Sequence, residues 1–347
     1  MGRLLTVQDH LQVLEWAEAF RSIPDFDVGT PVGQSLRAGA RRELDLYWNL
    51  AALSRAGSRR PELAKKASRI VFRVRVLLER ELSRAVNTAI GHGVVTTPDL
   101  FDGNFFGCSI KQGVSLRVPL ASCIPTRDCH AGCYAHDGMD AGRNPVVKGV
   151  LNGVVAGRYE SGDALERHRL RDLLRPHVRR AVSAAKAEAA AAGFPRQARI
   201  RFSHVGEIAA FPDFANDLAR IVREESGGGV ACVVYTRHPN AKLLDPELIV
   251  TNFTIDRSSR ERLAWAPATA RLVYSAWDGR TTDEVAVNFV EHHRFGHVTQ
   301  SGEGKVCPVT APESTGRTCD AVRCTLCFQK VEPAGLRPRS AQDTGHP

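Results

Sequence analysis

The residues best equipped for chemistry lie in one short segment, Cys123-Ile-Pro-Thr-Arg-Asp-Cys129-His-Ala-Gly-Cys133-Tyr134. Its three cysteines are spaced C-x5-C-x3-C and follow an apolar run, Val114 to Leu120, that reads as a strand. Thiolates are soft ligands, and three from one loop can hold three corners of a metal or iron–sulfur centre. The fourth position then has no protein ligand, and an open position is where a metal does chemistry. Cysteines that merely pack in a core are common. Pro125, Arg127, Asp128 and Gly132 between the sulfurs do not suit a packed segment. The spacing therefore predicts a metal or cluster site at Cys123, Cys129 and Cys133.

A second group, Cys307, Cys319, Cys324 and Cys327, is spaced C-x11-C-x4-C-x2-C. Four thiolates so close in sequence can form a closed site. Zinc usually takes paired C-x2-C hooks, and only Cys324 and Cys327 form one here. The uneven spacing, beside another expected cluster, favours an auxiliary [4Fe–4S] centre with zinc as the alternative. Its expected roles are pinning the C-terminus and passing electrons. Cys232 sits inside an apolar run and reads as core, and a lone Cys108 reads as structural. Glu291-His292-His293 with His297 reads as surface histidines. The chain has neither a phosphate-binding Gly-Lys-Ser/Thr loop nor a Gly-x-Ser-x-Gly elbow, and Gly227-Gly228-Gly229 reads as a turn before a strand.

The 347 residues, 43% of them hydrophobic, suffice for one large domain or two ordinary ones. No apolar run approaches the roughly 20 residues that span a bilayer, and the first ten residues carry charge too early for a signal peptide. A cytoplasmic location with no membrane partner is expected. Nine cysteines in such a chain point to metal or redox chemistry, because disulfides do not persist there. The net charge of +9 raises the prospect of a polyanionic partner, a nucleic acid or a phosphorylated substrate.

The elements that must position the cysteines follow from periodicity. Residues 1–100 read as a helical N-terminal domain, with helices at Val7–Phe20, Leu36–Leu53 and Pro61–Ile90. From residue 101 to 300 the rhythm becomes strand, turn and helix. Long helices are expected at Val146–Tyr159 and Ala164–Ala192, and another at Phe211–Glu225. Strands are expected at 198–203, 229–236, 248–255, 271–276 and 285–290. Such alternation implies crossover connections and a parallel sheet. The expected fold class is α/β: an incomplete (β/α) barrel of about six parallel strands. Residues 301–332 form a cysteine-rich cluster segment, and 333–347 read as a disordered tail. Active sites of parallel α/β folds gather at the C-terminal ends of strands. The polar residues there, including His204 to Glu207, Thr236 to His238, Asn252 to Asp256 and Ser275 to Asp278, are therefore candidates.

Three cysteines after the first strand, with an aromatic beside the last, resemble the radical S-adenosylmethionine (SAM) superfamily. There three thiolates hold a [4Fe–4S] cluster whose fourth iron is chelated by SAM. Val205-Gly206-Glu207 resembles a degenerate form of the superfamily's Gly-Gly-Glu motif, which meets the SAM amino group. The superfamily's usual cysteine spacing is C-x3-C-x2-C, and Val205 stands where its first Gly would be. Residues 113–328 are closer to the phage gene-product-eighty-eight family. The matching pieces are Cys123…Cys129…Cys133-Tyr134-Ala135, Arg201-Phe-Ser-His-Val-Gly-Glu207, Val234-Tyr-Thr-Arg237 and a cysteine-rich end. That family carries Ser-Gly-Asp where this chain has Val205-Gly206-Glu207, and its name brings no established reaction.

The resemblance implies an enzyme that reductively cleaves SAM to begin radical chemistry. Cofactor contacts are expected at Val205, Gly206, Glu207, Asn252 and Ser275, and catalytic roles at Tyr134, Glu207 and Arg237. A low-potential donor such as ferredoxin or flavodoxin would be needed. The alternatives are a non-catalytic iron–sulfur or zinc protein that binds nucleic acid or a protein partner, and a redox sensor.

Overall fold

The computed structural model describes residues 61–101, 103–109, 113–133, 135, 140, 143–276, 282, 285–290, 323 and 326–329. The helices expected at 7–20 and 36–53, Tyr134, Cys307, Cys319, Cys324 and the 333–347 tail lie outside them.

Helix α1 (Pro61–Gly91) comes first, then strands β1 (Gly107–Ser109) and β2 (Gly113–Arg117) and the short helix α2 (Arg127–Gly132). Helices α3 (Arg143–Ser161) and α4 (Ala164–Ala191) follow, then β3 (Ala198–Val205) and α5 (Pro212–Ser226). The chain continues through β4 (Val230–Thr236), β5 (Ile249–Ile255), β6 (Arg271–Ala276) and β7 (Val287–Val290). The seven strands form one sheet in sequence order. Every pairing from β2 to β7 is parallel, and only β1 runs antiparallel to β2. The sheet does not close on itself, because β1 and β7 are its two edges. The expected mostly parallel α/β sheet is observed. The first expected strand ends at Arg117, short of Leu120, because Pro119 cannot donate to a ladder and Leu120–Ser122 turns into a single 3₁₀ turn.

Local signals set the element ends. Asp163 caps α4 by accepting from Glu166 N–H at 2.8 Å. Pro212 opens α5, and Gly227 at φ 65° closes it in the left-handed conformation. The triple-glycine run is thus a helix stop. α5 buries Phe214, Leu218, Ile221 and Val222 against the sheet. At about 1.5–3 kcal/mol per large apolar side chain, this face outweighs the exposed pairs that Arg175 and Arg179 make with Glu225 at 2.8 Å, worth about 0–1 kcal/mol each.

The two sheet faces differ. One carries Val114, Leu116, Ala198, Ile200, Phe202, Val230, Cys232, Val234 and Ile249, and packs with α1, α3, α4 and α5 in the main core. Cys232 is core, and burial pushes its thiol well above the ordinary range. Leu78, Leu82 and Val86 bring α1 into this same core. The other face carries Arg199, Arg201, Tyr235, Asn252 and Arg271. The Arg199 guanidinium stacks 3.8 Å from the centre of the Phe328 ring, and Arg201 lies 4.9 Å from that of Tyr235. Among the described residues, no helix is long and apolar enough to cross a membrane.

His177 of α4 lies against the rings of Phe101 and Phe105, at 5.5 and 6.0 Å. Burial, then Arg180 and Lys148, lower its pKa from 6.5 to about 4. The unfolded chain therefore takes up this proton at a higher pH than the folded one. Its contribution to stability is present above about 6.5 and is lost as the pH falls towards about 4. Urea midpoints measured across that window should fall with pH, and His177→Gln should flatten the fall. Parallel curves for the two proteins would refute this.

Candidate metal centre at the C-terminal ends of the strands

The cysteine loop leaves β2 beside the end of β3, where Val118 N–H donates to Val205 O at 3.0 Å. The Pro119–Ser122 turn closes with Cys123 N–H donating to Leu120 O at 3.0 Å. Thr126 then caps α2, its hydroxyl accepting from Cys129 N–H at 3.0 Å. Cys123 thus precedes a six-residue helix, Cys129 lies within it and Cys133 caps its end. Cys123 and Cys133 pack in one small cluster with Phe72, Leu120, Ala135 and Val205.

The three cysteines are electrostatic neighbours. Burial pushes the Cys123 thiol well above its ordinary range, reinforced by Glu207, Cys133, Cys129 and Glu79. Burial also raises Cys129, with Arg237 pulling the other way. Among the described residues, no three Cys, His, Asp or Glu side chains are drawn tightly enough together to chelate an ion as they stand. The donor set nonetheless suits a soft metal. Thiols kept protonated chiefly by burial become ligands when a cation supplies the missing counter-charge and protons leave.

Three neighbouring strand ends complete the edge. Asp256, fully buried after β5, accepts from Arg237 Nη1 at 2.9 Å and from the Thr126 hydroxyl. It also accepts from Ser258 N–H at 3.0 Å and caps the 257–265 turn. Arg262 in that turn donates to Ile124 O at 2.6 Å. Burial works against the Arg237 guanidinium, but Cys129, Asp256, Glu207 and Cys123 outweigh it and raise its pKa. Glu207 follows β3. Its N–H donates to Ser122 Oγ at 2.8 Å, and its Oε1 accepts from Arg237 N–H at 3.3 Å. Oε2 is buried with no hydrogen-bond partner among the described residues. Burial raises the Glu207 pKa, against the Thr236 hydroxyl, Arg237 and Arg262.

Helix α1 grips both flanks of the loop. Arg75 and Glu79 form a 2.8 Å ion pair, at 1% and 0% side-chain exposure. Glu79 accepts from Ala121 N–H at 2.9 Å, ahead of Cys123. Arg75 donates to Ala135 O, and to Asp140 O at 3.2 Å, beyond Cys133. The Asp140 carboxylate pairs with Arg117 at 2.6 Å and meets His204 Nε2 at 3.0 Å. Burial opposes its ionisation, but His204 and Arg117 hold it below the usual carboxylate range.

The remaining sequence candidates fare differently. Val205 is buried in the cysteine cluster. Gly206, at φ 80°, lies so close to the β2 end that a Cβ would meet Pro119 O at 2.6 Å and Val118 Cγ2 at 2.7 Å. Its conformation and tight packing account for the glycine. Asn252 is fully buried, and its amide donates to Cys327 O at 2.9 Å and accepts from Arg271 at 3.1 Å. Ser275 is buried in β6. Cys327 is buried where its segment docks on the sheet. Sequence reasoning missed Thr126, Arg262, Arg75 and Glu79, and placed Asp256 only at the end of a candidate stretch, with no role. Thr126 and Asp256 carried a signal, since each is a capping residue ahead of a short helix.

Removing one member of a buried ion pair strands the other charge, at about 3–5 kcal/mol. Glu79→Ala should lose that much in urea unfolding, whereas Arg75→Met with Glu79→Leu should lose less than the single change. A single-variant loss below about 1 kcal/mol, typical of surface pairs, would show that the pair does not clamp the loop. Comparison with models of protein families, with curated proteins and with solved structures finds no match for this chain.

Proposed function

We propose that this chain is a radical-SAM-like iron–sulfur enzyme built on an incomplete (β/α) barrel. Cys123, Cys129 and Cys133 would hold a [4Fe–4S] cluster, and SAM would meet Glu207. The observation that carries this reading is the pairing of three neighbouring thiols, one buried and two half-buried, with a buried carboxylate oxygen that has no partner among the described residues. When bound, such a cluster supplies one electron that splits SAM into methionine and a 5′-deoxyadenosyl radical. Glu207 offers Oε2 to the amino group of SAM, and an arriving ammonium favours the ionised carboxylate that burial disfavours. Arg237 balances the charge of Cys129 and Asp256 and keeps the loop in place. Cys307, Cys319, Cys324 and Cys327 would bind a second cluster or zinc, and a ferredoxin or flavodoxin would deliver electrons. The docking of Cys327 on Asn252 supports a C-terminal segment that returns to the sheet.

Anaerobic reconstitution with iron and sulfide should give a brown protein with roughly two clusters' worth of iron. Incubation with dithionite and SAM should release 5′-deoxyadenosine, and Cys129→Ala should abolish it. A colourless zinc protein, or unchanged product from Cys129→Ala, would refute the assignment.

Glu207→Gln separates function from stability. It removes the cost of a buried carboxylate but leaves buried amide N–H groups where Oε2 has no partner among the described residues. The stability of the metal-free protein in urea should therefore change by less than about 2 kcal/mol. SAM affinity should fall about tenfold or more with loss of the charge-assisted contact. Equal SAM binding by both proteins would remove Glu207 from the cofactor site.

A further inference from the structure

A cleft of about 520 Å³ opens between α1, α3 and the Pro119–Ser122 turn. That volume lies in the range of small-molecule sites. Its lining presents Arg80 and Asn87 from α1, Arg158 from α3, the Ser122 hydroxyl and the Phe211 ring. No carboxylate lines it among the described residues. Arg158 directs Nε and Nη2 to Glu166 at 2.9 and 2.6 Å. Arg80 has no ion pair among the described residues.

Glycines of α3 give an independent indication. A Cβ at Gly153 would strike the Pro119 ring, so packing against the turn explains that glycine, whereas one at Gly149 would make only ordinary contact with Val118 O at 3.5 Å. Gly157, one turn beyond Gly153, lines the cleft, and a Cβ there would meet nothing within 4 Å among the described residues. A glycine inside a helix costs about 0.5–1 kcal/mol relative to alanine. At Gly157 no contact with the described residues accounts for that cost, and close approach of a ligand to the helix backbone would.

We propose that this cleft binds a phosphorylated small molecule with a planar ring, of nucleoside-monophosphate size. Arg80 meets the phosphate, Phe211 gives the ring a face, and Gly157 leaves room for it. The bound molecule touches Ser122, whose hydroxyl holds Glu207 N–H and whose neighbour is Cys123. The proposal stands on the cleft alone and requires no cluster.

Calorimetric titration of the full chain with AMP, adenosine and inorganic phosphate tests it. AMP should bind at least tenfold more tightly than adenosine, and Arg80→Ala should remove that difference. Gly157→Leu should abolish AMP binding with an unchanged circular dichroism spectrum and melting temperature. Should that variant fail to fold, the milder Gly157→Ala must still weaken AMP binding. No heat from AMP at millimolar concentration, equal affinity for adenosine, or wild-type binding by both Gly157 variants would overturn the proposal.

Discussion

Everything at the cysteine-bearing edge depends on fixing a loop that cannot fix itself. Between Ala121 and Cys133 the chain offers little apolar surface, and its three thiols repel one another once ionised. Its shape is imposed from outside by charged groups brought into the interior: Arg75 and Glu79 at its two flanks, Arg262 on Ile124 O, and Asp256 with Arg237 on the cap of α2. Burying such groups costs several kcal/mol each before any pairing. A hydrophobic replacement would serve stability as well or better. What the charges add is direction, since each binds a named backbone atom or cap of the loop.

The sheet explains why those groups can meet. Parallel strands place the ends of β2, β3, β4 and β5 along one edge, so residues far apart in sequence become neighbours there. Thr126 and Asp256 bond across 130 positions. The helices occupy one face of the sheet and supply the apolar core. The other face is thereby left for arginines, Asn252 and the returning Cys327 segment.

Periodicity made most of this architecture legible. The strands that pair in parallel, the long helices and the glycine stop of α5 all carry local signals that tertiary packing reinforces. The three cysteines and Glu207 were legible as candidates because residue type and position after a strand mark them. The residues that hold the loop were not. Arg75 and Glu79 sit four apart on a helix rich in arginine, with nothing local to mark them, and only the fold buries them. Asn252 stands out in the sequence only as a strand-end residue, while its hydrogen bonds with Arg271 and Cys327 O are visible only in the fold. Gly206 matched a motif, yet its glycine is also demanded by the approach of Val118 and Pro119.

Departures from local rules concentrate where chemistry is expected. Ser203 adopts φ 60°, which only a few per cent of non-glycine residues do, and its hydroxyl accepts from Ile208 N–H at 2.6 Å. Three residues on, Gly206 is also left-handed, and Glu207 then buries an oxygen without a partner among the described residues. Across the edge, Cys123 and Cys129 are thiols that burial keeps from ionising. The long helices and parallel strands otherwise keep mostly to their local preferences, with Pro176 inside α4 a further exception. A chain selected for stability alone would lose the departures around the cysteine loop to ordinary substitutions. Ser203, Gly206 and Glu207 fall within five residues at the end of β3, beside the cysteine loop, and it is this grouping that the proposed site rests on.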